Sequence, residues 1–291
     1  MAEETLSGLT LFNRGKVRDI YSLGDKLLLV ASDRISAFDV VLPCAIPGKG
    51  AVLNQLSNFW FARTEHIVPN HFIQIGLPAE VATGGREWFD ARAMVARRAD
   101  RIDFECVVRG YLAGSAWKEY RQSGEVAGHQ LPSGLQQCAQ LPHPIFTPAM
   151  KNDVGHDENI SVDRLQSLVG TQLANQLERL SVQLYSFAAD HAATCGMLLA
   201  DTKFEFGMVG DQLTLIDEIL TPDSSRYWEA ATYEAGRDQD SFDKQYVRNW
   251  LDSVGWDHEP PAPGLPADVI AGTQQRYVEA FQRLTGSDPI F

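Results

Sequence analysis

The segment Asp201-Thr202-Lys203-Phe204-Glu205-Phe206-Gly207 constrains the fold more than any other stretch of the chain. On a strand, successive side chains point to opposite faces, so Asp201, Lys203 and Glu205 share one face while Thr202, Phe204 and Phe206 take the other. The chain returns as Leu213–Ile219, a hairpin partner that carries Asp217-Glu218 at its end. A three-residue loop, Gly210-Asp211-Gln212, sets Glu205 opposite Asp217. A two-residue loop shifts the register by one and sets Ile216 there instead. In the first register two carboxylates face each other at roughly 5 Å between Cβ atoms and repel unless a cation lies between them. Mg²⁺ carrying nucleotide phosphates is the natural candidate. The competing reading is a solvated sheet face.

Around this hairpin the chain divides by character. Its first hundred or so residues read mainly as strands, with Lys16–Ser22 and Lys26–Ala31 flanking the turn Leu23-Gly24-Asp25. A helix is expected at Val52–Arg63, where Leu53, Leu56 and Trp60 recur at helical spacing, and strands at Phe72–Ile75 and Ala91–Arg97. Gly114–Arg121 reads as a short helix and Gly124–Pro148, rich in Gly and Pro, as a long loop. Ser161 caps a long helical region whose stripe runs Leu165, Leu168, Leu173, Leu177, Leu180, Leu184, Phe187, punctuated by Gly170 and Gly196. Helices near Phe242–Ser253 and Pro266–Thr285 close the chain around the linker Glu259–Gly264. The expected architecture is α+β: a β-rich N-terminal lobe, residues 1–104, on a larger mixed α+β lobe, residues 105–291.

Charge narrows the partners. Lys+Arg number 25 and Asp+Glu 38, a net charge of −13, which argues against nucleic acid or an anionic membrane as partner and leaves small anions. Apolar runs such as Leu27–Ala31 are far too short to span a membrane, and the acidic start, Met1–Thr5, lacks the pattern of a signal peptide. Cys44, Cys106, Cys138 and Cys195 are scattered, as expected of a cytoplasmic chain with reduced thiols. No His-Glu-x-x-His motif occurs. Pro47-Gly48-Lys49-Gly50 is not a Walker A loop, because Pro43 stands where the first glycine belongs and Gly50 replaces Ser or Thr.

Five further segments carry chemistry. In Gly15-Lys16-Val17-Arg18-Asp19-Ile20-Tyr21, glycine permits close approach to a phosphate, and Lys16 and Arg18, two apart on a strand, present two cations on one face. A solvated edge strand is the plainer alternative. Ser32-Asp33-Arg34-Ile35-Ser36-Ala37-Phe38-Asp39 is a dense polar kit at a strand end, or simply a capped turn. In Glu105–Ser115, Arg109 ends a strand and Gly110, Gly114 and Ser115 lead into a helix, so a guanidinium and free N–H groups converge as a phosphate site; otherwise Arg109 is a buried ion pair. Thr221–Trp228, with Asp223, Ser225 and Arg226, suits a sugar phosphate. In Lys151–Asn159, Lys151 is the functional candidate and His156 a structural residue.

In this order, Gly15–Tyr21, Ser32–Asp39, Glu105–Ser115, Lys151–Asp157, Asp201–Gly207 and Asp217–Trp228, with Ser241–Gln245 near the end, the chain resembles the long form of the SAICAR synthetase (phosphoribosylaminoimidazole-succinocarboxamide synthase) family of purine biosynthesis. It departs from the long form at Thr147-Pro148-Ala149-Met150-Lys151, where the lysine is kept and two hydroxyls are absent. The resemblance implies a kinase-like or ATP-grasp-like nucleotide cleft between two lobes. It implies an ATP- and Mg²⁺-dependent ligase joining L-aspartate to the carboxylate of the ribotide CAIR. Gly15, Lys16, Val17 and Arg18 would lie over the ATP phosphates with Lys151 helping, and Glu205 and Asp217 would hold Mg²⁺. Arg109, Ser115, Asp223, Ser225 and Arg226 would hold the ribotide. Ser36 and Asp39 would meet substrate, with Lys203, Asp39 and Lys16 nearest the reacting groups. Monomers and homodimers both occur in the family. A small-molecule kinase and a non-catalytic nucleotide-binding protein are the alternative readings.

Overall fold

The computed structural model describes residues 6, 8–81, 83, 85–151 and 158–291; the expectation for His156 lies outside them. The N-terminal part supplies β1 (Thr10–Arg14), β2 (Arg18–Leu23) and β3 (Lys26–Ala31), then β4 (Arg34–Ala37), β5 (Val40–Ala45), α1 (Lys49–Thr64), β6 (Phe72–Ile75), α2 (Arg86–Asp90) and β7 (Ala93–Arg97). Strands β1, β2, β3, β7 and β6 form one antiparallel sheet in that order, and β4 and β5 a separate hairpin. Alternation decides its two faces. Tyr21, Leu28, Val30 and Val95 pack outward on Leu77, Val81 and Phe89. Leu29, Met94 and Ala96 face inward on α1.

The second sheet holds β8 (Asp100–Arg101), β9 (Phe104–Tyr111), β12 (Gln140–Phe146), β13 (Ala149–Met150), β14 (Glu158–Asn159), β15 (Met197–Val209), β16 (Gln212–Ile216) and β17 (Ser225–Glu229). Long β15 is its spine: it pairs with β9 through Asp201–Phe204, with β17 through Met197–Thr202 and with β16 through Glu205–Val209. Helix α3 (Gly114–Ser123) follows β9, and β10 (Glu125–Val126) pairs with β11 (His129–Gln130). Helices α4 (Val162–Val169) and α5 (Thr171–Thr194) cover the sheet, and α6 (Gln245–Ser253) and α7 (Ala267–Thr285) end the fold. Helix α7 lies against α1, so one core runs from Leu29 and Met94 through Leu56 and Trp60 to Leu184, Phe204 and Phe281.

Ser161 does cap a helix, accepting from the Arg164 N–H at 3.2 Å, and Gly170, expected to punctuate the helical region, divides it into α4 and α5. Gly124–Pro148 is no plain loop: its second half is β12, paired with β9 despite two prolines, and β10 and β11 form a small hairpin. The spine hairpin has the two-residue loop, so Glu205 lies opposite Ile216 and the return strand stops there. Lys16 sits in the turn before β2, not on a strand with Arg18. Among the described residues no helix is long and apolar enough to cross a membrane.

Candidate active site

One cleft of about 1180 Å³ lies between the two sheets and gathers nearly every charged segment singled out above. Ile20, Leu27 and Leu29 line it from the first sheet and Ile216 from the second, leaving an apolar slot beside a strongly charged floor.

The floor is built on β15. Although Asp217 is not opposite Glu205, both carboxylates reach the cleft, because Asp217 leaves the strand in a left-handed conformation, φ 65. Each already holds a cation. Lys151 Nζ is 2.6 Å from Glu205 Oε1, and Arg18 pairs with Asp217 and reaches Glu218 Oε2 at 3.2 Å. Lys203 pairs with Glu105 and stands 3.9 Å from Glu205. Burial, reinforced by Asp217, pushes the Glu205 carboxyl above its ordinary range against the pull of Lys203 and Lys151. For Asp217 burial acts in the same sense, but Arg18, Lys203 and Lys151 outweigh it and hold the carboxyl low. Burial disfavours the Lys203 ammonium; Glu105, Glu205 and Asp217 overcome this and keep it protonated well above the usual lysine range.

Farther along the same strand, Asp201 has Arg109 as its register partner on one side and Arg226 on the other. It ties both guanidiniums, Arg109 Nη1 at 3.1 Å. Arg109 also donates to Thr147 Oγ1 at 2.9 Å and to Ser115 Oγ at 3.2 Å, so it is a buried ion pair and a cleft residue at once. Helix α3 starts here without a side-chain cap, leaving its first N–H groups available. Gly114 has φ 58, and a Cβ there would lie 2.5 Å from Arg226 Nη2, so only glycine lets the helix start this close to the guanidinium. Ser225 is tied to Thr202, Oγ to Oγ1 at 2.8 Å.

The opposite wall comes from the Ser32–Asp39 segment, where labour is divided. Asp33 is scaffold: it accepts from the Gly48 and Gly50 N–H groups at 3.2 and 2.9 Å and pairs with Arg92 at 2.7 Å, anchoring the start of α1. Arg34 donates to the Lys16 and Gly15 carbonyls at 3.1 and 3.2 Å, which fixes the Gly15–Val17 turn. Val17 C=O in turn accepts from Ser32 N–H at 2.9 Å. Ser36 and Asp39 line the cleft. Phe38 and Asp39 form the two-residue β4–β5 turn with φ 50 and 64, the primed geometry that suits a tight hairpin but is costly without glycine. Phe38 is held by a stack on His258 at 3.7 Å, and Asp39 pairs across the cleft with Lys16.

Asp223 lines the cleft, but its carboxylate is fully engaged. Lys49 Nζ lies at 2.7 Å, Lys244 Nζ at 3.1 Å and Tyr277 donates at 2.6 Å. Lys49, rejected as a nucleotide-loop lysine, is therefore a buried structural cation. Lys244 and Arg248 add positive charge to this end of the cleft and were given no role from the sequence. Their i,i+4 spacing at the start of a helix was the signal available. Glu105, Asp201 and Glu218 also had none, although all three stood in motifs already noted.

The residues fit a metal in one way only. No cluster of three or more ligand-type side chains occurs among the described residues, so the cleft offers no all-protein cage. Two hard carboxylate donors beside a phosphate-sized space fit Mg²⁺, which keeps much of its shell for water and phosphate oxygens.

Fold and cleft together define a class: an α+β enzyme with a charged cleft between an antiparallel sheet and a mixed body. A family model described as SAICAR synthetase matches residues 11–263. The phosphoribosylaminoimidazole-succinocarboxamide synthase of Methylobacillus flagellatus is 52% identical over 98% of each chain. A structure of SAICAR-synthase from Saccharomyces cerevisiae complexed with SAICAR is similar at TM-score 0.90 and 42% identity, covering 99% of this chain and 98% of that one. A SAICAR synthetase in complex with ADP is similar at TM-score 0.71 and 26% identity, covering 96% and 99%. The chain belongs to the SAICAR synthetase family, as its motifs implied.

Proposed function

We propose that the protein joins the carboxylate of CAIR to the amine of L-aspartate at the expense of ATP, through an acyl phosphate. Membership of the family supports the overall reaction, and the ADP complex of a relative supports a nucleotide in the cleft. The observation that carries the assignment of roles is the spacing along β15. Asp201, which gathers Arg109 and Arg226, then Lys203, then Glu205 succeed one another every second residue on one face. On a strand that places three stations roughly 6.6 Å apart. They suit, in turn, the ribotide phosphate, the carboxylate under attack and the metal-bound phosphates of the nucleotide.

The steps follow from charge. Lys16, Lys151 and the Gly15–Arg18 turn hold the triphosphate, and Mg²⁺ held by Glu205 and Asp217 would neutralise its developing charge. Arg109, Ser115, Ser225 and Arg226 hold the ribotide, with Asp223 fixing Lys244 beside it. Ser36 meets substrate from the opposite wall. Lys203 orients the CAIR carboxylate, whose oxygen attacks the γ-phosphorus while the bond to ADP breaks. The amine of aspartate then adds to the acyl carbon, its proton passes to Asp39, and inorganic phosphate leaves. Residues 1–104 act as the nucleotide lobe and 105–291 as the ribotide and metal lobe, in a cytoplasmic monomer or homodimer with no nucleic-acid or membrane partner.

ADP formation with CAIR, ATP and Mg²⁺ should require aspartate and no other amino acid. ADP release indifferent to aspartate would make the protein a kinase and sink the ligase reading. With ¹⁸O in the CAIR carboxylate, one label should appear in the released phosphate; its absence rules out the acyl phosphate.

A further inference from the structure

Strand β1 is the outer edge of the first sheet, and every one of its residues is exposed. It is not a regular edge. Leu11 pairs with Tyr21 and Asn13 with Ile20, so Phe12 is the extra residue of a bulge. A bulge re-aims the side chain it carries. Here the ring is 50% exposed and lines the mouth of the cleft, on the side of the apolar slot formed by Ile20, Leu27 and Leu29. The Arg98 guanidinium lies over it, 4.8 Å from the ring centroid. Arg98 belongs to the short connector between β7 and β8, the link from the first sheet to the second. One jaw thus hangs on the strand that leads into the Gly15–Arg18 turn, and the other on the passage between the sheets.

We propose that Phe12 and Arg98 form a clasp at the mouth of the slot that closes on the purine base of the nucleotide. An aromatic face and a guanidinium plane are the two protein groups on which a flat heterocycle stacks, and neither reads its hydrogen-bonding edge. The clasp therefore contributes to nucleotide affinity rather than to chemistry. This rests on the reading of the cleft as a nucleotide site, and the experiment separates the two.

ADP affinity is measured by calorimetry on the intact protein, with steady-state kinetics alongside. Phe12→Ala should weaken ADP binding and raise KM for ATP about tenfold, leaving kcat and KM for CAIR within twofold. Phe12→Trp should restore affinity. Arg98→Ala should weaken ADP similarly, and the double variant no more than the worse single one, since both remove the same stack. If Phe12→Ala and Arg98→Ala leave ADP affinity unchanged while Lys16→Ala lowers it, the clasp is wrong and the nucleotide site stands. If Lys16→Ala also changes nothing, the nucleotide reading of the cleft fails and takes the clasp with it. A loss of ADP affinity that Phe12→Trp does not restore overturns the stacking role and leaves a packing one.

Discussion

Lys203 meets Glu105 and Glu205, and these two carboxylates with Asp217 keep it charged although it is partly withdrawn from water. Lys203→Met should lower kcat about 10²- to 10³-fold, the cost of losing one positioned charge at a reacting oxygen, with KM for ATP little changed. Its neighbours are paired: Lys151 sits on Glu205 and Arg18 on Asp217. On the function proposed above, a nucleotide would draw these cations to its phosphates and leave both carboxylates to the metal. Glu205→Gln and Asp217→Asn should each raise the Mg²⁺ concentration for half-maximal activity about tenfold or more, read from a metal titration at saturating ATP. For two of the thiols burial is the largest influence. Cys106 is pushed up to about 12, so at pH 8.5 about one molecule in a few thousand is thiolate, and Cys138 is pushed up to about 11. Iodoacetamide on the folded protein should label only Cys44 and Cys195, which are partly exposed, as peptide mass spectrometry will register.

Elements hold these residues through pins that do no chemistry. Lys49 opens α1, is completely buried and finds Asp223 at 2.7 Å, on the far side of the cleft. Lys49→Met removes one partner of a buried pair and should cost about 3 kcal/mol in chemical denaturation. Lys49→Met with Asp223→Asn should cost less than the sum of the two. How far the sequence could be read differs from element to element for physical reasons. The face shared by Asp201, Lys203 and Glu205 was legible because strand alternation is obligatory once a strand exists. The hairpin register was not, since two- and three-residue loops both suit Gly210-Asp211, and only packing of Ile216 and Leu215 chooses between them. Strand β12 escaped notice because Pro142 and Pro144 disguise it; its pairing with β9 is interrupted between Gln140 and Ile145, where the prolines stand. The β4–β5 turn carries Phe38 and Asp39 where Gly or Asn is expected, so its sequence hid the geometry that aims Asp39 into the cleft. Lys49 looked like a failed phosphate loop because nothing local reveals a partner 174 positions away.

At the scale of the molecule, two sheets do not make two independent bodies. Leu29 and Met94 of the first sheet, α1, and Leu184 and Phe204 of the second belong to one continuous core. Calorimetry should therefore show a single unfolding transition with equal calorimetric and van't Hoff enthalpies; two resolved transitions would mean the shared core does not couple them. The net charge of −13 makes copies of the chain repel one another, while the cleft mixes carboxylates with a comparable number of cations. The α1–α7 contact also has a consequence for synthesis on the ribosome. Helix α1 packs in part against α7, whose Tyr277, Ala280 and Phe281 share its core and are translated about 200 residues later. At ~5–20 residues per second, that wait lasts roughly ten to forty seconds. Throughout it, α1 has the first sheet on one side but leaves the part of its apolar surface that α7 will cover open to a chaperone that binds nascent polypeptides.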